Sequence, residues 1–409
     1  MQIFLKHQGV ALATWLVLIP FSSLAGEGEW PQWRGPSHDG ISAEKGWTVQ
    51  WPKEGPKQLW KVSVGLAYSS MAVQGGRVFT MGNVGGTDTV WCLEAATGKE
   101  IWKHSYACPS PPNVGGYPGP RATPTVEGGR VYTFSRKGHL FCLDAAKGTV
   151  VWQKDVKQES GSKPPQWDFS GSVLVYDKLL VLNVGSAGLA FDKATGNVAW
   201  KSGPAPAGYA TPVPFDSNGQ KGIAIFTANG LNAVNPADGK ALWDFPWDTN
   251  YKVNSADPIF FGDKVFFSSG YDRGCAAISF GKAAPAKLWE NKELCNHTSS
   301  SVGWNGHVYG FNGQISSAGA LKCLDLQTGT AKWTQPNMMG SLQIADGKLV
   351  LLTTKGKLVV AEASPQAYKE LASAQVLGGE CWTAPVLAGG KVFCRNTEGD
   401  LVCLNVSGK

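Results

Sequence analysis

The sequence predicts an all-β protein, an eight-bladed β-propeller of four-stranded antiparallel blades that is closed by an N-terminal strand completing the last blade. Three observations lead to this fold class. A phrase ending in Trp recurs along the chain, short strand patterns alternate with Gly, Asn and Asp turns, and the inner strands outnumber the internal outer strands by one. A closed ring of small sheets accommodates a chain of 409 residues that lacks long amphipathic helical patterns.

The recurring phrase is clearest at Ala190–Trp200, "AFDKATGNVAW". It begins with a small residue, continues with an acid and a Gly, and ends in a Trp four residues after that Gly. Asp or Asn bonds its own turn backbone, and Gly takes a positive φ without steric cost. The phrase ends at intervals of 43 to 50 residues, at Trp102, Trp152, Trp200, Trp243, Trp289 and Trp333. Such a period is typical of a propeller.

Each repeat divides into four strands, A to D, with D on the outside. Eight A strands are predicted, at 68–73, 121–126, 169–175, 209–215, 254–260, 298–304, 340–345 and 382–388. The D strands of the first seven blades end near the six Trp residues above and near Leu371. The eighth blade has no D strand after its strand C, and the segment around Trp60 is predicted to supply it. This closure removes an exposed sheet edge.

The tryptophans are predicted to dock each outer strand on the next blade, because narrow sheets otherwise have little core. The docking set comprises Trp60, Trp102, Trp152, Trp200, Trp243, Trp289 and Trp333. A small apolar residue of strand C is expected to fit between the stacked sheets. Those small positions are assigned to Cys92, Cys142, Ala190, Ala233, Ala277, Cys323, Ala361 and Cys403. The phrase therefore describes architecture and carries no chemistry by itself.

The N-terminal segment has a different character. Residues 1–25 contain Lys6, an apolar core and a small-residue cleavage site before Gly26, which predicts a secretory signal peptide. Residues 26–56 are predicted to form an N-terminal strap, and residues 57–409 the propeller. Position 27 is Glu rather than a lipid-accepting Cys. We therefore expect an exported protein, periplasmic or secreted, that is not a lipoprotein and has no transmembrane segment once mature.

On these residues the chain resembles the pyrroloquinoline-quinone (PQQ) repeat family. "AFDKATGNVAW" matches the family's docking phrase A-x-D-x-x-x-G-x-x-x-W without a mismatch, and the resemblance covers nearly the whole mature chain. The resemblance implies the propeller fold. It does not select one function, because the family includes quinoprotein alcohol dehydrogenases, an outer-membrane assembly lipoprotein and exported propellers with no assigned role. The segments "WPQWRGPSHDG", "GYDRGC" and "CWTAPV" are most similar to the last group.

The chain departs from the first two groups. The dehydrogenases are longer and carry a disulfide between adjacent cysteines, whereas this chain has no Cys-Cys pair, and their calcium ligands cannot be matched here residue by residue. The leading prediction is an exported, non-catalytic binding or scaffold propeller, with no catalytic residue, metal or cofactor. One alternative is a quinoprotein-type alcohol or sugar oxidoreductase with PQQ and calcium. The other is an outer-membrane assembly scaffold.

A site is predicted on the face that carries the D–A and B–C connections, which are long and chemically varied. Candidate ligand-binding residues on this face are Arg121, Asp168, Tyr209, Asn254, Tyr271, Arg273, His297, Trp382 and Arg395. Arginine presents a planar donor fork to carboxylates or phosphates, so an anionic, planar or sugar-like ligand would suit this set. The same residues also suit a structural role, tethering loops around the central channel.

Two residues of this set have the chemistry of a base, and both also have a structural interpretation. His297 has the residue type of a general base or metal ligand, yet nothing in the sequence pairs with it. Asp168 either acts as a base or fixes a loop through backbone N–H groups. His38, near the mature N-terminus, is expected at the surface.

The nine cysteines divide into two groups. Four occupy the small position of strand C, and the other five map to the loop-bearing face or close to it. Cys275 begins strand C of blade 5 and Cys295 follows strand D, so a Cys275–Cys295 disulfide is predicted in an exported protein. The odd total leaves at least one thiol unpaired in the monomer.

Charge excludes one class of partner. The formal net charge is +6, and no stripe of clustered Lys and Arg accompanies it, so nucleic acid is not an expected partner. The predicted partner is an unknown envelope protein or a small anionic or sugar-like ligand.

Overall fold

The computed structural model describes residues 28–109, 118–217, 219–281, 284–314 and 318–408. The predicted signal peptide lies outside these residues. Eight antiparallel four-stranded sheets form a closed ring, and one of the sheets gains a fifth strand from the strap. The predicted all-β, eight-bladed propeller is therefore confirmed. Within the described ranges, no helix has the length and apolarity needed to span a membrane.

The strands follow one another in blade order. Two strands precede blade 1, and they are β1 (Ile41–Ser42) and β2 (Gln58–Ser63). Blade 1 contains β3 (Ala72–Gln74), β4 (Arg77–Val84), β5 (Thr87–Glu94) and β6 (Glu100–Ala107). Blade 2 contains β7 (Thr125–Glu127), β8 (Arg130–Phe134), β9 (His139–Asp144) and β10 (Val150–Asp155). A short helix, α1 (Val156–Ser160), follows blade 2.

The middle blades repeat the same order from the inner to the outer strand. Blade 3 contains β11 (Leu174–Tyr176), β12 (Leu179–Leu182), β13 (Leu189–Asp192) and β14 (Val198–Lys201). Blade 4 contains β15 (Val213–Ser217), β16 (Gln220–Thr227), β17 (Gly230–Val234) and β18 (Ala241–Pro246). After a short 3₁₀ turn at Asn250–Lys252, blade 5 contains β19 (Ile259–Phe261), β20 (Lys264–Ser269), β21 (Gly274–Ser279) and β22 (Ala286–Asn291).

The last three blades complete the ring. Blade 6 contains β23 (Val302–Trp304), β24 (His307–Asn312), β25 (Ala320–Asp325) and β26 (Ala331–Pro336). Blade 7 contains β27 (Gly340–Ala345), β28 (Lys348–Thr353), β29 (Lys357–Glu362) and β30 (Glu370–Gln375). Blade 8 contains β31 (Val386–Ala388), β32 (Lys391–Arg395) and β33 (Asp400–Asn405), and β2 is its outer strand.

The ring closes through β2, as the sequence predicts. β2 pairs antiparallel with β33, and Trp60 lies opposite Cys403. The register shifts by one residue just before Trp60, and the C–D pair of every other blade has a shift at the same place. This β-bulge strengthens the local twist and fixes the direction in which the outer strand presents its next side chain.

The predicted Trp docking has a precise geometry. The indole Nε1 of Trp102 donates to the Ala145 carbonyl of the next blade at 3.0 Å, and the ring covers Gly148 so closely that a Cβ there would lie 2.5 Å from it. Five other tryptophans donate in the same way at 2.8–3.2 Å, namely Trp60, Trp152, Trp200, Trp289 and Trp333. The Nε1 of Trp243 has no hydrogen-bond partner among the described residues.

Blade 7 departs from the predicted alignment. Leu349 pairs with Ala361 and Val350 with Val360, so the register places Val360, and not Ala361, at the small strand-C position. Val360 in turn lies opposite Ala372, so an alanine occupies the docking position. The phrase "AEASPQAYKEL" lacks the Gly and the Trp that fix the alignment in the other copies. Without them, the sequence prediction was wrong by one residue.

The strap seals the junction that lacks a docking Trp. Trp47, which is 7% exposed, joins a core cluster with residues of blades 7 and 8, including Val360 and Leu404. Its backbone forms an antiparallel bridge with Ser407, and the next amide, that of Thr48, donates to Val406 O at 2.8 Å. The strap therefore supplies the aromatic surface that the blade 7 repeat does not encode.

The preceding part of the strap lies in the central channel. Trp30 exchanges two backbone hydrogen bonds with Val73 of β3, and β1 adds in parallel to the inner strand β27. Between these points the chain turns through Gly35 (φ 77°), where a Cβ would lie 2.6 Å from the ring of Trp30. Only a glycine fits this turn. The return segment ends at Glu44, whose carboxylate accepts from the amides of Gly389 and Gly390.

Candidate functional site

The candidate site is a funnel-shaped cavity of about 230 Å³ on the loop face, above the plugged channel. Its wall is formed by segments that directly precede the A strands, and its floor by Trp33 of the strap, which also lines a smaller cavity inside the channel. The aromatic residues around it are Trp33, Tyr68, Trp167, Tyr209, Tyr271 and Trp382. This cavity thus lies on the loop face predicted from the sequence.

A belt of hydrogen bonds holds the funnel wall at the level where the A strands begin. In blades 1 to 6, a backbone amide of one blade donates at 2.9–3.1 Å to a side-chain oxygen of the next. The belt residues in order are Ser70, Thr123, Ser172, Thr211, Asp257 and Ser300. Because each bond crosses a blade junction, the belt fixes the spacing of the segments that line the cavity.

Asp257 supplies the carboxylate of this belt, and residues of the strap bind that carboxylate. One oxygen accepts from Trp33 Nε1 at 2.5 Å and lies 3.8 Å from Arg34 Nε, while the other accepts from the Thr211 amide. The side chains of Arg34 and Asp257 are only 5% and 2% exposed. Burial raises the pKa of Asp257, although Arg34 and the hydrogen bonds oppose this shift. The contact anchors Trp33 beneath the cavity.

A cationic wall stands on the side of blades 2 and 3. Arg121 lines the cavity and donates to the Trp167 carbonyl, and burial lowers its pKa while Asp168 opposes that shift. Asp168 itself bridges Arg136 at 3.0 Å and Lys137 at 2.9 Å. The three cations of this side face two carboxylates, Asp168 and the buried Asp88, which interacts with Arg136, so the wall keeps a positive excess.

The opposite wall carries Tyr271 and His297. The Tyr271 hydroxyl lies 3.3 Å from His297 Nε2, and the two rings meet edge to face at 5.1 Å. Burial lowers the pKa of His297, so its imidazole is neutral at pH 7. Its Nδ1 and the neighbouring Thr298 Oγ1 are buried without a hydrogen-bond partner among the described residues. Such orphaned groups are costly unless a ligand or water satisfies them.

The structure brings five of the nine predicted candidates together. These five line the cavity, and they are Arg121, Tyr209, Tyr271, His297 and Trp382. The other four, Asp168, Asn254, Arg273 and Arg395, are not among the lining residues. Asp168 is the nearest to a site role, since its carboxylate organises the cationic wall from behind.

The remaining three candidates outside the cavity make structural contacts. Asn254 is fully buried and donates to the carbonyls of Thr227 and Trp247. Arg273 stacks on the Trp247 ring at 3.3 Å and pairs with Glu290 at 2.7 Å. These contacts match the loop-tethering alternative that the sequence left open.

Arg395 locks the closure between blades 8 and 1. Its guanidinium is fully buried and donates to the carbonyls of Gly65, Ser69 and Met81 and to Thr80 Oγ1. Burial lowers its pKa to about 10. The side chain stays cationic at neutral pH, and carbonyl oxygens take the place of a carboxylate.

Sequence reasoning missed the other lining residues, including Trp33, Tyr68, Trp167 and Asp257. Asp257 was recognisable, because the corresponding position two residues before the A strand is Ser or Thr in the other belt copies. Trp33 carried no such indication, since its place depends on a strap that crosses the channel. The strap also half-buries His38 against Gln32, so the expectation that His38 lies at the surface was wrong.

The cysteines are all free thiols, and all nine are buried. The predicted Cys275–Cys295 disulfide is not formed, because the strand-D residue opposite Cys275 is Asn291, which accepts from its thiol at 3.2 Å. Burial raises the pKa of Cys275 to about 12 and also raises that of Cys295. These thiols are therefore poor nucleophiles at neutral pH.

Comparison with known proteins gives a family match and a fold match. The family model described as outer membrane protein assembly factor BamB matches residues 44–116 and 110–335. The chain is 26% identical to outer membrane protein assembly factor BamB of Yersinia pestis over 302 residues, 69% of this chain and 73% of that protein.

A second relative is an enzyme. The chain is 26% identical to the quinoprotein alcohol dehydrogenase PedH of Pseudomonas putida over 239 residues, 53% of this chain and 38% of that protein. The quinohemoprotein alcohol dehydrogenase of Comamonas testosteroni superimposes with a TM-score of 0.68 at 14% identity, covering 95% of this chain and 82% of that chain. At this identity the superposition shows the fold alone.

Proposed function

The chain belongs to the family described as outer membrane protein assembly factor BamB, and from this membership and the funnel we propose a non-catalytic binding propeller of the cell envelope. The ligand or partner binds on the loop face, in the funnel. One observation carries this proposal: Asp257, the carboxylate that lines the cavity, is committed to Trp33 and Arg34 of the strap. The aromatic and hydroxyl groups that remain are suited to recognition over a rigid wall.

The donor set of the funnel does not fit a calcium-bound quinone. Calcium takes six or more oxygen ligands, and carboxylates usually lead the set. Among the described residues, no group of three or more His, Cys, Asp and Glu side chains is placed to hold a metal ion. The carboxylate of Asp257 already faces a buried guanidinium. We therefore place the oxidoreductase second to the binding function.

The family match favours one further candidate, a scaffold in outer-membrane assembly. In that case the loop face would contact an envelope protein, and the funnel would receive one of its side chains. Site-specific crosslinking distinguishes the two candidates. A photo-reactive residue at the half-buried rim position Trp167 captures a specific envelope protein if the chain is a scaffold, and no protein if the funnel takes a small molecule.

A thermal-shift panel tests the binding function. The panel contains neutral and acidic sugars, nucleotides, dicarboxylates, and PQQ with and without calcium. We expect a compound to raise the Tm of the wild type but not of Trp167→Ala, which removes a ring from the funnel rim. The matched control is Trp304→Ala, a half-buried tryptophan beside an A–B turn on the opposite face.

Two results would contradict the proposal. If PQQ with calcium were the only panel condition that raised the Tm, the assignment would move to the oxidoreductase. Equal stabilisation of Trp167→Ala and the wild type would place the ligand outside the funnel.

A further inference from the structure

The size and lining of the funnel select a ligand with one ring. Its volume of about 230 Å³ is below the roughly 300–1,000 Å³ of pockets that take drug-sized ligands. Tyr68 and Trp382 pack at 4.8 Å on one side, and Trp167 and Tyr209 at 6.2 Å on another. Trp33 closes the floor. Aromatic faces arranged this way cover the apolar C–H faces of a saturated ring.

The polar groups of the wall select a ring with many hydroxyls. Ser170, Ser172, Thr211, Ser255, Thr298 and Thr383 bring hydroxyl-bearing side chains to the cavity. His297 Nδ1 and Thr298 Oγ1 are buried and have no partner among the described residues. A hydroxyl both donates and accepts, so it satisfies either a neutral imidazole nitrogen or another hydroxyl.

The electrostatics of the wall select an anionic substituent. Arg121 lines the cavity, and Arg136 and Lys137 stand behind it with Asp168 as their shared carboxylate. Asp257 is balanced by Arg34, so it does not offset this excess. A guanidinium binds carboxylate or sulfate oxygens more strongly than neutral hydroxyls, because the hydrogen bonds are charge-assisted.

We propose that the funnel binds a single pyranose ring that carries a carboxylate or a sulfate group, with the anionic group facing Arg121 and a ring face against the aromatic wall. This inference rests on the binding function proposed above and narrows it to one chemical class. Both possible ligands are anionic sugars, and the experiment tests the carboxylate and the sulfate separately.

Isothermal titration with defined monosaccharides tests the class. The probes are D-glucuronate, D-glucose 6-sulfate and D-glucose, titrated into the full-length protein. We expect one of the two anionic sugars to bind with 1:1 stoichiometry and at least ten times more tightly than glucose. A charge-assisted hydrogen bond contributes about 1.5–3 kcal/mol, which corresponds to roughly 10- to 150-fold in affinity.

Matched charge variants locate the anionic group. Arg121→Gln should remove the preference for the anionic sugar, whereas Arg130→Gln should keep it. Arg130 pairs with Asp144 on the turn face, so its loss changes the net charge equally without touching the cavity. If Arg121→Gln does not fold, Thr298→Val is the second variant, and it should weaken binding of all sugars.

The outcomes separate this inference from the proposed function. Equal affinity for glucose and the anionic sugars would overturn the anionic class while leaving a sugar-binding funnel. Failure of all three sugars, together with a different panel compound that depends on Trp167, would overturn the sugar class and keep the binding function. Failure of every panel compound would overturn both.

Discussion

The junctions between blades are built in two ways. The junction of blades 1 and 2 is encoded within the repeats, since Trp102 docks on the turn that holds Gly148. The junction of blades 7 and 8 has Ala372 at the docking position, and Trp47 of the strap fills the space. The difference teaches that a repeat seals its own junction only where its outer strand supplies the Trp. Elsewhere a segment outside the repeats must do so.

The largest effect should come from removing the strand that closes the ring. A chain beginning at Val64 lacks β2 and with it the pairing to β33 and the burial of Trp60. We expect a loss of more than about 5 kcal/mol and no cooperative unfolding transition, because the ring then ends in an open edge. A chain beginning at Gly46 keeps Trp47 and β2, and should retain a cooperative transition at a lower temperature. Calorimetry compares the two, and identical melting would contradict closure by β2.

Single substitutions compare the two kinds of seal directly. Trp102→Ala and Trp47→Ala each remove a ring that is 7% exposed, so each should cost about 3–5 kcal/mol. Ile101→Ala, at a position 42% exposed, and Gln50→Ala, in the exposed strap, are the controls and should cost less than about 0.5 kcal/mol. Urea unfolding measures the loss. A cost below 1 kcal/mol for Trp47→Ala would show that the strap does not seal its junction.

Acidification should loosen the strap more than the repeats. Burial, with Arg34 adding to it, lowers the pKa of His38 from 6.5 to about 4. The unfolded chain therefore binds the proton more readily, and stability falls as the pH drops from 6.5 towards 4, by about 3 kcal/mol at the lower end. His38→Asn removes this titration, and Asn tolerates the left-handed φ of 58°.

The His38→Asn variant is itself the control for the other groups that titrate on acidification. Asp39 and Asp257, whose pKa values burial raises, titrate in both the wild type and the variant. The difference in unfolding free energy between the two proteins, measured from pH 7 to pH 4, isolates His38. If the difference in unfolding free energy between the two proteins were the same at pH 7 and pH 4, the prediction would be wrong.

The smallest expected change in stability concerns the indole hydrogen bond of two docking tryptophans, Trp200 and Trp243. Trp200 Nε1 donates to Pro236 O at 2.8 Å, whereas Trp243 Nε1 has no partner among the described residues. Replacement by Phe keeps most of the ring and removes the donor. Trp200→Phe should therefore cost about 1 kcal/mol more than Trp243→Phe. Chemical denaturation of both variants measures this, and equal losses would show that the indole hydrogen bond adds nothing to docking.

Much of the fold was predictable because each blade repeats the same local chemistry. The Gly and Trp of the phrase fix the C–D turn and its register, so strand order and closure followed from spacing alone. The prediction failed at Ala361, where neither marker is present and the small strand-C position is one residue away, at Val360. A local pattern gives no register when its defining residues are missing.

The site was less predictable because it depends on contacts between distant segments. Arg121 and His297 were found from their position on the loop face, and both line the cavity. Arg273 and Arg395 share that position, yet the first stacks on Trp247 and the second is buried at the closure. Residue type and face do not reveal which direction a side chain takes. The role of Trp33 depends on Asp257, more than two hundred residues away, and no sequence pattern links the two.

The contact of Glu44 with the Gly389 amide joins residues 345 positions apart. A chain that emerges from its N-terminus delivers the strap first and its partners in blades 7 and 8 last. Trp47 and β2 therefore stay exposed to solvent until nearly the entire ring has been synthesised. Contacts of such long sequence separation form slowly, because the chain loses the entropy of loop closure before the contacts stabilise the fold. The order of emergence thus makes closure of the ring by β2 and burial of Trp47 late steps of folding.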